Sequence, residues 1–206
     1  MELNLKGKTA LITGGSRGIG LAIKKALEKE GVKCISISKE EGYDVMHQNF
    51  SVSVIRSLTD CDILINNVGG LGTLKNSNDI MFKNYNITEF MTRMFLLYKK
   101  KYGKVITISS IYGKEKGHNP EFTAAKAAQI AYMKSLAGTY PGITFNTICP
   151  GCINTKQSIV DYAKNNNMTL GSPEDVANIV TFLCSDLAKH INGATITVDG
   201  GDSHSF

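Results

Sequence analysis

The sequence predicts an α/β fold: a doubly wound parallel sheet of about seven strands, with helices on both faces and a ligand crevice at the strands' carboxyl ends. Two observations predict it. An apolar run, Thr9-Ala10-Leu11-Ile12, leads into the turn Thr13-Gly14-Gly15-Ser16-Arg17-Gly18-Ile19-Gly20 and then into Leu21-Ala22-Ile23-Lys24-Lys25-Ala26-Leu27, which has helical spacing. Further short apolar runs then alternate with helical patterns along the chain.

The chain has 206 residues, 42% of them hydrophobic, which suits one globular domain spanning 1–206. Its net charge of +5 is modest and no dense basic run occurs, so nucleic acid is not expected as a partner. No apolar stretch reaches roughly 18 residues, so no membrane span is expected. The N-terminus Met1-Glu2-Leu3-Asn4-Leu5-Lys6 lacks a signal-peptide core, and a cytoplasmic location follows as an expectation. Five cysteines, an odd number, argue against a disulfide framework. Cys34, Cys61 and Cys184 lie in or beside apolar segments and read as small core residues. Cys149-Pro150-Gly151-Cys152 has C-x-x-C spacing, but no second ligand pair stands where a zinc site needs one, so no metal is expected.

A glycine turn between strand and helix cradles phosphate. Glycines let backbone approach a pyrophosphate, and the helix start offers free N–H groups at a positive dipole end. Its alternative reading is a tight packing turn. Gly31 ends the first helix, and Val32-Lys33-Cys34-Ile35-Ser36-Ile37 reads as the second strand. The residue past that strand meets the adenosine ribose of a dinucleotide. Here it falls on Ser38-Lys39, with no carboxylate until Glu40, and Arg17 can point to the same place. Two cations and a hydroxyl favour a 2′-phosphate, hence NADP(H) over NAD(H). Otherwise both cations are ordinary solvated charges.

Only Glu40-Glu41-Gly42 precedes Tyr43-Asp44-Val45, a candidate third strand end, so the usual crossover helix has no room. A short helix fits Ser51 to Leu58, and Asp62-Ile63-Leu64-Ile65 reads as a buried strand ending at Asn66-Asn67-Val68-Gly69-Gly70. A long helical pattern runs from Asp79 to Lys100. Gly103 to Ser110 reads as a strand ending in a serine pair, followed by Ile111-Tyr112-Gly113. A hydroxyl there faces the crevice. Phe122 and Lys126 are four residues apart on one face of the next helix. Thr144 to Ile148 is a further strand, Ser172-Pro173-Glu174-Asp175 a helix start, and Gly193 to Gly201 the last strand and its turn.

The T-G-x-x-x-G-x-G turn, the Asn-Asn-x-Gly stretch, the serine-ended strand, the x-x-x-Lys helix and the late Pro-Gly together resemble the short-chain dehydrogenase/reductase family, in order and over essentially the whole chain. The resemblance implies a Rossmann-type fold and an oxidoreductase that interconverts a carbonyl and a secondary alcohol. It also implies a homodimer or homotetramer and a small-molecule substrate. Gly14, Ser16, Arg17, Gly18, Ile19 and Gly20 would hold the pyrophosphate, with Ser38 and Lys39 at the ribose phosphate. Asp44-Val45 would contact adenine, although Asp44 equally serves as a helix cap. Asn67, Val68 and Gly69 would line the cofactor, with Val68 standing where the family has alanine. Pro150, Gly151 and Ile153 would hold the nicotinamide, and Thr155 would reach the pyrophosphate. The catalytic set implied is Asn86 for a relay water, Ser110 for the substrate oxygen, position 122 for acid–base chemistry and Lys126 for the ribose. Residues 155–170 correspond to a substrate lid. Its polarity (Tyr162, three asparagines) suggests a polar, sugar-like substrate, or else only a surface loop.

Phe122 is the departure that matters. The family expects tyrosine there, and phenylalanine lacks the only titratable atom. General acid–base catalysis contributes roughly 10²–10⁴-fold, so hydride transfer should be severely impaired while cofactor binding survives. Three readings stay open: a Tyr-to-Phe variant of an active reductase; a catalytically silent NADP-binding regulatory or partner subunit; or a chain in which Tyr112 or His118 supplies the proton.

Overall fold

The computed structural model describes residues 2–43, 57–71, 76–98 and 102–204. Six parallel strands form the main sheet: β1 (Thr9–Thr13), β2 (Lys33–Ile37), β3 (Ile63–Asn66), β4 (Gly103–Ile108), β5 (Ile143–Pro150) and β8 (Thr195–Val198), ordered β2-β1-β3-β4-β5-β8. Strands β3, β4 and β5 are buried along their whole length, as a sheet covered on both faces requires. A second sheet pairs β6 (Cys152–Ile153) with β7 (Leu170–Gly171). Tyr43, at the candidate third strand end, has no regular structure; Asp44 and Val45 lie outside the described residues. Of the proposed 51–58 helix, residues 57 and 58 are described and are helical, with residue 59.

Helices α1 (Gly18–Lys29) and α6 (Pro173–Cys184) pack together over one face, where Ile12, Ile23, Leu27, Ile65, Val176 and Val180 are buried. The other face carries α3 (Ile87–Tyr98) and α4 (Pro120–Leu136), burying Leu11, Leu64, Met91, Phe95, Met133 and Phe145. α3 continues from the short α2 (Ser77–Met81) through a π-turn at Phe82–Asn86. The last helix in this set, α5 (Gln157–Asn165), lies between β6 and β7. Helix starts follow local chemistry. The Asn119 side chain accepts the Phe122 N–H at 2.7 Å ahead of Pro120, and Ser172 and Asp175 form a reciprocal capping box.

The chain leaves β1 towards β2 on one side and has β3 on the other. This reversal opens a crevice beyond the strand ends. The glycine turn follows β1 and Asn67-Val68-Gly69-Gly70 follows β3, so the topology brings these two stretches together.

Candidate active site

α1 begins at Gly18 with Arg17 in an extended conformation; Arg17 makes no side-chain capping bond, and the first turn holds no acidic residue. The helix therefore offers its amides and positive end to an outside anion. Gly18 has φ +54°, in the left-handed region that favours glycine. Gly20 is fixed by contact: a Cβ there would lie 2.1 Å from Gly14 O and 2.5 Å from Asn67 Nδ2. Thr155, from the segment after β6, closes on the turn, since a Cβ on Gly18 would meet its Cγ2 at 3.1 Å.

Asn67 Nδ2 donates to Thr13 O at 3.1 Å and to Gly14 O at 3.0 Å. The Asn67 and Val68 N–H groups donate to Thr13 Oγ1 at 2.9 and 3.1 Å. Thr13 thus organises both walls, a role the sequence reading did not give it. Asn66 Nδ2 donates to Thr92 Oγ1 and Thr107 Oγ1, tying β3 to α3 and β4.

The π-turn holds two asparagines, Asn84 and Asn86, in different surroundings. Asn86 is exposed, whereas Asn84 in the same π-turn is buried. Gly70 N–H donates to Asn84 Oδ1 at 2.7 Å, and Asn84 Nδ2 donates to Ile80 O at 2.9 Å. A Cβ on Gly69 would lie 3.0 Å from both Asn84 Oδ1 and Lys126 Nζ, so this asparagine and the lysine share the crevice wall. The wider turn rotates position 84 inward, and no spacing rule for a regular helix anticipates it.

Lys126 is buried. Its Nζ donates to Ile108 O and Gln129 Oε1, each at 3.0 Å, leaving one N–H for a ligand. Gln129 Nε2 in turn donates to Thr88 Oγ1 at 2.7 Å. Burial brings the Lys126 pKa down to about 7. The Phe122 ring centroid is 5.7 Å from Nζ. Ser109 is spent on structure, donating to Lys126 O at 2.9 Å. Ser110 is half-buried; its Oγ accepts the Tyr112 N–H at 3.2 Å, which leaves its own proton to donate.

Tyr112 and Tyr162 share a hydroxyl hydrogen bond of 2.8 Å that joins the loop after Ser110 to α5. His118 stands edge-on to both rings and is exposed. Burial and the bond to Tyr162 push the Tyr112 phenol above its ordinary pKa, the wrong direction for a proton donor near neutral pH. Asn165, Asn166 and Asn167 all face solvent, so the polarity of 155–170 describes an outer surface.

At the ribose end, Ser38 is buried and its hydroxyl donates to Glu41 Oε2 at 2.7 Å. Glu40 turns back to the glycine turn, accepting from Ser16 Oγ at 2.8 Å and lying 3.5 Å from Arg17 Nη1. Its own backbone N–H and the Ser16 hydroxyl hold its pKa below the ordinary value. Pro150 ends β5, Gly151 N–H donates to Val198 O at 3.0 Å, and Ile153 is buried in β6. Cys149 and Cys152 are free thiols with pKa values raised by burial. No helix among the described residues is long and apolar enough to cross a membrane.

A parallel sheet with an open helix start, an Asn-Asn turn and a buried lysine at its strand ends defines a dinucleotide-dependent oxidoreductase scaffold. Comparisons agree. The sequence model for enoyl-(acyl carrier protein) reductase matches residues 44–203. The 3-oxoacyl-(acyl-carrier-protein) reductase FabG of Escherichia coli strain K12 is 33% identical over 240 residues, covering 97% of this chain and 98% of that protein. The acetoacetyl-CoA reductase of Shinella zoogloeoides is 32% identical over 242 residues, covering 94% and 98%. Among solved structures, BdcA in complex with NADPH superposes with a TM-score of 0.84 at 25% identity, covering 98% of this chain and 96% of that one. The chain belongs to the short-chain dehydrogenase/reductase family. Alignments of 240 and 242 positions against 206 residues mean that these relatives carry segments this chain lacks.

Proposed function

We propose that this chain is an NADP(H)-dependent oxidoreductase interconverting a carbonyl and a secondary alcohol of a small molecule, with proton transfer blunted by Phe122. The single observation behind it is the convergence of Lys126, Asn84 and Gly69 on one wall of the crevice, beside the uncapped start of α1. The cradle fits a dinucleotide: Gly20 leaves no room for a Cβ against the backbone of Gly14, and Gly18, with positive φ, sits tight against Thr155. When bound, NADP(H) supplies or accepts the hydride.

The chain's own groups divide the remaining work. The α1 amides, Gly14, Ser16, Ile19 and Thr155 hold the pyrophosphate. Asn67, Val68 and Gly69 line the cofactor, and Pro150, Gly151 and Ile153 hold the nicotinamide. Lys126 gives its remaining N–H to the nicotinamide ribose, and Gln129 and Ile108 keep it aimed. Ser110 donates to the substrate oxygen. Asn84, in place of Asn86, holds the turn at Gly70. Arg17 and Lys39 favour the 2′-phosphate once Glu40 swings away; with Glu40 in place the same pocket accepts the diol of NAD(H). Residues 155–170 act as the lid of one 1–206 unit, closed by Tyr112 and Tyr162. The exposure of Leu97 and Tyr98 on α3 supports a homo-oligomer, and a cytoplasmic location completes the reading.

Phe122 itself favours a second reading, a silent NADP-binding partner subunit. Calorimetric titration with NADPH and NADH tests the shared premise: NADPH should bind more tightly, and binding of neither would defeat both readings. Phe122→Tyr separates them. A gain in carbonyl reduction of about a hundredfold or more marks the enzyme. No change across a broad substrate panel marks the silent subunit.

A further inference from the structure

Three cations stand on three separate segments: Arg17 at the cap of α1, Lys83 in the π-turn, and Lys156 at the cap of α5. Contacts beside each draw the segments together. Asn84, next to Lys83, accepts from Gly70, and Thr155, next to Lys156, lies against Gly18. Arg17 has a partner in Glu40, an exposed pair. Neither the Lys83 nor the Lys156 ammonium forms a hydrogen bond or ion pair among the described residues.

Lys83 is half-buried. Burial first, then the positive charges of Arg17 and Lys156, hold its pKa below the ordinary value. Lys126 lies within electrostatic reach of Lys83 as well. A half-buried ammonium within electrostatic reach of other cations, with no carboxylate partner among the described residues, is unfavourable by itself. A dianion placed among these groups removes the repulsion and satisfies the empty donors.

We propose that Lys83 and Lys156, with Arg17, form a cationic clamp that grips the pyrophosphate of the dinucleotide in addition to the glycine turn. The inference rests on the dinucleotide reading above. Lys83 couples the grip to the catalytic wall, because its neighbour Asn84 holds Gly70 beside Lys126. Lys156 couples it to the lid, because it starts α5. Pyrophosphate would thus draw three segments together as it binds.

The test is fluorescence titration of NADPH against wild type, Lys83→Met, Lys156→Met and the surface control Lys29→Met, at low and high salt. Methionine keeps the length and apolar stem of lysine, so the variants should fold; melting curves check this. Each clamp variant should bind NADPH roughly tenfold more weakly at low salt and show a shallower salt dependence, while Lys29→Met tracks wild type. Wild-type affinity and salt slope in Lys83→Met would overturn the clamp and leave the dinucleotide reading intact. If wild type binds neither NADPH nor NADH, that reading fails, and inorganic pyrophosphate decides the clamp alone. A melting temperature raised by pyrophosphate in wild type but not in Lys83→Met would sustain an anion site; no rise in wild type would end it.

Discussion

Lys126 and Gln129 are hydrogen-bonded at 3.0 Å inside the protein, one turn apart on α4, and Gln129 passes the connection to Thr88 on α3. This amide is what holds a buried ammonium in place without a carboxylate. It also has a consequence for stability. Burial lowers the Lys126 pKa from 10.5 to about 7. Below pH 7 both folded and unfolded chains hold the proton, and the cost of burying the charge is complete. Between about 7 and 10.5 the unfolded chain keeps a proton that the folded chain releases, so this lysine's contribution favours folding increasingly as pH rises. Gln129→Glu should raise the lysine pKa and flatten that gain. Urea unfolding at pH 7 and pH 9 measures it, and equal slopes in the two proteins would show that Gln129 does not face the ammonium.

Phe122→Tyr supplies a phenol on a ring that lies 5.7 Å from Lys126 Nζ, at a position whose backbone N–H is held by the Asn119 cap. Turnover of a reducible carbonyl should rise by about 10²–10⁴-fold. NADPH affinity should not change, because no cofactor contact is altered. Consumption of reduced nicotinamide under saturating cofactor reports the first quantity, and calorimetry the second.

Asn84→Ala removes the acceptor of the half-buried Gly70 N–H and the side-chain donor to Ile80 O, at a cost of about 1–3 kcal/mol. It should weaken cofactor binding too, since Gly69 and Gly70 lose their anchor. Asn86→Ala, on the solvent side of the same turn, should stay within about 0.5 kcal/mol of wild type. The reverse ranking in chemical denaturation would mean that position 86, not 84, faces the crevice.

Gly20→Ala puts a methyl group against Gly14 O and Asn67 Nδ2, both held by the turn itself. Neither can retreat without breaking the bond between the two walls. A loss of about 1–3 kcal/mol is expected, together with loss of NADPH binding. Retention of full affinity would show that the two walls tolerate separation.

Glu40→Gln frees Arg17 and Ser16 from a carboxylate at 3.5 and 2.8 Å. The preference for NADPH over NADH should increase, by about fivefold at most because the pair is solvated. The gain should shrink in high salt. A shift towards NADH would show that Glu40 does not oppose the 2′-phosphate.

The sequence by itself determined the architecture and the order in which the glycine turn, the Asn-Asn stretch and the lysine helix follow one another. Its decisive signals are local: an apolar strand running into a glycine turn, the Ser172-Pro173 helix start, and a lysine four residues after Phe122. Each depends on groups within a turn or two of one another, so spacing suffices to read them. Tertiary structure decided the rest. Asn84 faces inward instead of Asn86 because the π-turn, packed against α4 and bonded to Gly70, shifts the helix phase. Glu40 reaches Ser16 because a short turn after β2 folds back onto the start of α1. Gln129 reads as one more helix residue until α3 brings Thr88 alongside, and Lys83 as a solvated charge until the fold half-buries it. Hydrogen bonds and charges act over a few ångströms of space, and only the folded chain sets which residues are that close.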